Sequence, residues 1–223
     1  MRVAVICEYS GRVRDAFIRK GHEAISFDLI ESESDLGEHV IGDVRKYPLG
    51  YWECFDLAVC HPPCTHLAVS GARYFKDKVE EQREALEFVQ WLMDLPIAKI
   101  CIENPIGVIS SKIRKPDQII QPWMFGERES KSTCLWLKGL DRLVGTNVLQ
   151  KPECGYWDNC TPSGQNKLGP SEDRWKIRSR TYLGIAEAFA EQFGGDLNAK
   201  EEFLKWVEKI YKFQNGGGVV EGD

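Results

Sequence analysis

Two short stretches carry residue types suited to covalent chemistry at the edge of a sheet. In FDLAVCHPPC, Phe55 to Cys64, the apolar run Leu57 to Cys60 reads as a buried strand. Pro62 and Pro63 then end its hydrogen-bond ladder, because neither has a backbone N–H. Cys64 therefore sits on a stiff loop just past a strand end. A cysteine held this way is a candidate nucleophile: fixed backbone aims the sulfur, and a nearby cation or helix N-terminus favours the thiolate. In ICIENPIG, Glu103 and Asn104 follow a second apolar run directly, and Pro105 stops it. If the two strands are neighbours, thiol and carboxyl share one crevice. The rival readings are a structural thiol at Cys64, a solvated Glu103, and a zinc site built from Cys60, His61, Cys64 and His66. Against zinc, Cys60 belongs to the apolar strand, the spacing is not that of a finger, and no matching second pair follows.

Other strand ends carry weaker signals. CEYSGRVRDAF, beginning at Cys7, is a small-residue turn between a first strand and a helix. Such a turn brings backbone N–H groups and a helix N-terminus near a ligand. Asp28 ends the second strand, where a carboxylate can accept hydrogen bonds from a ribose diol. Gly11 is the only glycine of the turn, so the GxGxxG fingerprint is absent. Asp43, after Gly42, could accept an adenine amine, although Asp after Gly is also ordinary turn chemistry.

These residues need a scaffold that presents strand ends on one edge. RVAVIC, HEAISFDL, VIGDV, DLAVC and AKICIEN read as strands, with helices over RVRDAFIRKG, closed by Gly21, and over KVEEQREALEFVQWLMDL, where Leu86, Val89, Leu92 and Met93 recur at helical spacing. Alternating strands and helices predict an α/β fold with a doubly wound, mostly parallel sheet, whose ligand crevice lies beyond the carboxyl ends of the strands. Residues 142–173 are rich in Gly, Pro, Asn and Cys and read as a loop-rich lobe or insertion between a core over 1–141 and closing helices over 174–214. Those helices are RTYLGIAEAFAEQF and NAKEEFLKWVEKIYKF, followed by a frayed tail over 215–223.

Composition bounds the partners. At 223 residues, 43% hydrophobic and 28% charged, the chain is ordinary globular material. No stretch approaches the roughly 20 apolar residues of a membrane span. The opening MRVAVICEYSG suits a core strand better than a signal peptide, and the chain reads as cytoplasmic. Eight cysteines without framework spacing, several of them (Cys7, Cys54, Cys60 and Cys101) in or beside apolar runs, fit reduced, buried thiols. A net charge of -5 argues against wholesale coating of DNA, so a nucleic-acid partner has to be argued from a local site.

In order, CEYSG, FDL, GDV, FDLAVCHPPC and IENP resemble the successive motifs of the cytosine-5 DNA methyltransferases, and most of all the short members found in bacteriophages and prophages. The resemblance covers about residues 2–140 and resumes over about 174–193. It implies the class I, Rossmann-like fold that uses S-adenosylmethionine, with DNA as partner. Cys64, in the Pro62-Pro63-Cys64 motif, would attack C6 of cytosine. Glu103, with Asn104 beside it, would hold the ring near N3 and the exocyclic amine. The turn Cys7, Glu8, Tyr9, Ser10 and Gly11 would line the cofactor site, together with Asp28 at the ribose, Asp43 and Val44 at the adenine, Pro62, and Thr181 on the closing helix. A base in duplex DNA would have to be flipped into the pocket.

The chain also departs from that family. Cys7 and Tyr9 stand where the cofactor turn usually has Phe and Gly. The usual Gln-x-Arg-x-Arg element is not visible, which leaves Arg128 and Lys131, or Arg178 and Arg180, as candidate cations at the base. Lys112 and Arg114, with Lys115, form a basic run that either tracks a phosphate backbone or is a solvated loop. The recognition region is short. It offers Tyr156, Trp157 and Lys167 as base and phosphate contacts or as a miniature core of its own. Its Cys154 and Cys160 read as simple thiols rather than a metal pair or disulfide. Short or relaxed specificity, or a partner protein that supplies it, follows. C5 modification of a free pyrimidine nucleotide such as dCMP, and a non-catalytic binding protein that keeps the fold, are the alternatives.

Overall fold

The structure is a computed structural model that describes residues 1–69 and 78–195. The helix expected over NAKEEFLKWVEKIYKF and the tail after it lie outside the described residues.

Seven strands form one sheet: β1 (Arg2–Ile6), β2 (Glu23–Asp28), β3 (His39–Ile41), β4 (Leu57–Cys60), β5 (Lys99–Pro105), β6 (Gln118–Ile120) and β7 (Thr133–Lys138). Their order is β3-β2-β1-β4-β5-β7-β6. β1 to β5 pair in parallel, while β7 runs antiparallel to both β5 and β6. The connecting helices are α1 (Arg12–Arg19), α2 (Leu49–Trp52), α3 (Val79–Met93), α4 (Ile109–Lys112), α5 (Arg174–Ser179) and α6 (Leu183–Gly194). This is the doubly wound α/β class expected, with the chain order reversing between β1 and β4. In this fold class ligands bind beyond the carboxyl ends of the strands at such a switch point.

Strand alternation fills both faces. Val3, Val5, Leu57 and Val59 pack on one side with Phe17 of α1 and Phe189 and Phe193 of α6. Ala4, Ile6, Ala58 and Cys60 pack on the other with Val89 and Leu92 of α3 and with Phe27, Trp52 and Phe55. Because both faces are covered, LAVC reads as a continuous apolar run and every residue of it is buried. Cys60 and Cys101 are buried as expected, whereas Cys54 is exposed. Its neighbour Phe55 takes the inward position at that turn.

The loop after β4 folds back onto the segment after β5. Val69 N donates to Ile106 O at 3.1 Å, Val108 N donates to Leu67 O at 2.9 Å, and Ala68 bridges Gly107. A Cβ on Gly107 would stand 2.0 Å from the Leu67 carbonyl oxygen, a backbone atom that cannot swing away. Gly107→Ala is therefore expected to displace residues 67–69 and to cost about 1–3 kcal/mol, the usual penalty of overpacking. A shift of the urea midpoint to lower concentration checks this.

Candidate active site

The parallel pairing of β4 with β5 sets Cys60 beside Ile102. The two strands point the same way, so Cys64 and Glu103 come to one end of the sheet, close enough for the charge of Glu103 to act on Cys64. Cys64 lies four residues past its strand, where its carbonyl accepts hydrogen bonds from Leu67 N (3.0 Å) and Ala68 N (2.9 Å). The two ends are tied together by Asn104, whose Nδ2 donates to the Pro62 carbonyl at 2.7 Å. Asn104 is 2% exposed, and its Oδ1 finds no hydrogen-bond partner among the described residues.

Glu103 lies within β5, opposite Leu135 of β7, rather than after the strand as its sequence suggested, and its side chain is largely buried. His61 Nδ1 lies 3.0 Å from its Oε2, and both side chains are largely buried. Burial pushes the Glu103 carboxyl up, but the His61 hydrogen bond and the charges of Lys131 and His61 outweigh it, so its pKa falls below the ordinary value. For Cys64 the balance goes the other way. The thiol is exposed at its tip, yet the protein around it raises its pKa, and the negative charge of Glu103 adds to that effect. Lys131 and Arg178 pull it back down without overcoming it. Of the candidate cations, Lys131 and Arg178 thus act at the site, and Lys131 Nζ also donates to the Arg178 carbonyl at 3.0 Å.

The turn after β1 lies in the same edge, with several side chains directed inward. Glu8 is buried and caps α1, accepting from Val13 N at 2.6 Å, Arg14 N at 3.2 Å and Ser10 Oγ at 3.2 Å. A carboxylate here satisfies otherwise orphaned helix N–H groups. Burial nevertheless raises the Glu8 pKa, by more than the His61 charge and these bonds lower it. Cys7 adopts a left-handed backbone, φ 60°, and Gly11 does so at 71°. Tyr9 reaches α5, where its hydroxyl donates to Lys176 O at 2.5 Å and its ring lies 6.0 Å from Trp175. Arg12 Nη1, at the start of α1, donates to Thr181 O at 2.9 Å.

Asp28 uses Oδ1 to accept from Leu29 N and Ile30 N, and among the described residues no donor reaches Oδ2. Burial raises its pKa despite those bonds. Val44 is buried at the start of a 3-10 turn, which Asp43 caps through Arg45 N. Both carboxylate oxygens of Asp43 are also held by the Arg45 guanidinium, at 3.0 and 2.9 Å.

Of the remaining basic candidates, the arginines are engaged elsewhere. Arg128 pairs with Asp158 in the loop-rich region, and Arg180 forms a two-pronged pair with Glu33. Arg114 spans Asp117 and the Leu137 carbonyl, back along the sheet from Glu103, and Lys112 is exposed on α4. In the loop-rich region Trp157 stacks on Trp123 at 5.8 Å, and Lys167 lies over Tyr156 while donating to Asp158 O. The three rings stay half-buried and Lys167 exposed. All eight cysteines are free thiols, and among the described residues no three potential ligands group as a metal site. His61 was legible only as a metal candidate. The overlooked signal is a histidine locked by Pro62 directly after a buried strand.

No protein-family model matches this chain, and no curated protein does. Among solved structures, it is similar to an E. coli prophage-encoded protein described as a DNA modification methyltransferase, at 15% identity and a TM-score of 0.49, over 67% of this chain and 52% of that one. It is also similar to a triple mutant of Spodoptera frugiperda DNMT2, at 16% identity and a TM-score of 0.43, over 61% of this chain and 49% of that one. The match spans about half the length of each.

The electrostatics of Cys64 predict its reactivity. Alkylation by iodoacetamide, followed at Cys64 by peptide mass spectrometry, should rise with pH beyond the range of an ordinary thiol. Lys131→Gln removes a cation that favours the thiolate and should move the profile to higher pH. Arg128→Gln should leave it in place, because Arg128 is held by Asp158.

Proposed function

We propose that this chain is a DNA methyltransferase that transfers a methyl group from S-adenosylmethionine to C5 of cytosine. The observation that carries the reading is the placement of Cys64 just past β4 and of Glu103 near the end of the adjacent parallel strand β5, with the charge of Lys131 acting on both. That constellation suits addition of a nucleophile to a polarised ring. Cys64 Sγ would bond to C6, opening the C5–C6 double bond. The negative charge that develops toward N3 would be met by Lys131, while the Glu103 carboxylate would accept from the exocyclic amine and hold the ring in place. C5 would then accept the methyl group. Loss of the C5 proton to a base restores the double bond and breaks the S–C6 bond, which frees the cysteine.

The residues at the edge fit the methyl donor in outline. The Cys7–Gly11 turn, Asp28 with its open Oδ2, Val44, Pro62 and Thr181 would hold it, and its bound contribution is an activated methyl. Asp43 could join them only by sharing its carboxylate with Arg45. Support for a polyanion comes from α5, where exposed Arg178 acts on Cys64 and half-buried Lys176 adjoins Tyr9. No helix among the described residues is long and apolar enough to cross a membrane.

A free pyrimidine nucleotide is the second reading. It is favoured by the loop-rich region, where Trp157, Tyr156 and Asp158 are already engaged by Trp123, Lys167 and Arg128. Transfer of labelled methyl to duplex DNA, single-stranded DNA and dCMP, offered in parallel, separates the two. The expected product is 5-methylcytosine in polynucleotide, abolished by Cys64→Ala and lowered about a hundredfold or more by Glu103→Gln. Label in dCMP alone moves the function to nucleotide modification, and absence of transfer to all three rejects both.

A further inference from the structure

His61 has no part in the addition step described above, yet its imidazole is the group in direct contact with Glu103. Pro62 follows it and restricts its backbone to extended conformations. The main chain is pinned as well, since His61 N donates to Ile6 O at 2.8 Å. The ring is therefore aimed by backbone on both sides. Nδ1 meets Glu103 Oε2 at 3.0 Å in a largely buried setting. Since an ionised carboxylate only accepts, Nδ1 carries the proton and donates it. On the far side of the ring, Nε2 is buried and has no hydrogen-bond partner among the described residues.

We propose that His61 is the positioning residue for Glu103: its Nδ1–H clamps Oε2, leaving Oε1 turned toward a pyrimidine ring held beside Cys64. The proposal rests on the methyltransferase reading for what Glu103 does, but the clamp itself is a property of the protein alone. The buried arrangement explains why a histidine is used. A carboxylate this enclosed needs a donor to stay ionised and a rigid one to stay oriented, and Pro62 prevents the donor from drifting. Charged groups face the imidazole from three other elements: Glu8 after β1, Asp28 at the end of β2 and Glu103 on β5, with Lys131 acting on Glu103 from before β7.

Two variants separate a clamp from mere filling of space. His61→Asn places an N–H donor near the Nδ1 position without a titrating ring, and His61→Leu fills the space without a donor. In the protein free of ligand, the Glu103 carboxyl can be titrated by carbon-13 NMR, with Glu103→Gln identifying its resonance. The expected result is a Glu103 titration displaced to higher pH in His61→Leu, because the donor to its ionised form is gone, and a smaller displacement in His61→Asn. In methyl transfer, His61→Leu should lower kcat by about a hundredfold, the scale of a misplaced catalytic group, with KM little changed. Its acid limb should move to higher pH, and His61→Asn should recover most of the rate. A Glu103 titration that is the same in all three proteins overturns the proposal, whatever the activity. Equal loss of rate in both variants with intact melting transitions overturns it too, because the N–H would then not be what matters. If the wild type transfers no methyl group to any substrate while the NMR shifts appear, the methyltransferase reading fails and the clamp stands.

Discussion

The hydrogen bond from Asn104 to the Pro62 carbonyl is the constraint on which the site depends. Two consecutive prolines take the chain out of the sheet, because they cannot continue the ladder, and they leave a carbonyl that needs a donor. Asn104, buried at the end of the adjacent strand, supplies it at 2.7 Å. Such a bond contributes only about 1 kcal/mol net, but a buried carbonyl left without it would cost about 1–3 kcal/mol. The bond therefore acts less as glue than as a register mark. It sets how far the Cys64 loop stands from Glu103, and the return of residues 67–69 onto Gly107 holds the far side of the same loop.

Around that mark, two groups of opposite need share one crevice. Glu103 is kept in its charged form by a histidine and a lysine, while Cys64 is kept as a thiol by the protein around it and by the charge of Glu103. Lys131 favours the anion at both. A cation placed beside both a nucleophile and a carboxylate is suited to a reaction in which negative charge passes from sulfur into a ring. Its Nζ is itself oriented by the carbonyl of Arg178, so α5 takes part in the electrostatics without entering the crevice.

The turn after β1 is held by its own side chains. Glu8 folds inward to cap α1, Tyr9 is anchored to α5, and Cys7 takes a left-handed backbone that more often belongs to glycine. Arg12 and Arg180 complete the strap, through Thr181 O and Glu33 respectively. Residues 174–181 are thereby held over the edge where Asp28 and Pro62 also converge.

Much of this was written locally along the chain. Apolar runs bounded by Pro, Gly and Asp, and the period of Leu86, Val89, Leu92 and Met93, determine strands and helices, because buried strands and amphipathic helices need those patterns whatever lies around them. The Pro62-Pro63-Cys64 and Glu103-Asn104 pairs were legible as strand-end chemistry for the same reason. The choice among the cations was not, because Arg128, Lys131, Arg178 and Arg180 are chemically equivalent in sequence and differ only in which acids the fold brings near. Asp158 takes Arg128 and Glu33 takes Arg180, which leaves Lys131 and Arg178 acting at Cys64. The role of His61 belongs to the same class. Its partner is 42 residues away, and only the pairing of β4 with β5 brings a carboxylate to its ring. Sequence determined which groups stand at strand ends, since that depends on local backbone. The tertiary structure alone decided which of them meet, since meeting depends on strand order.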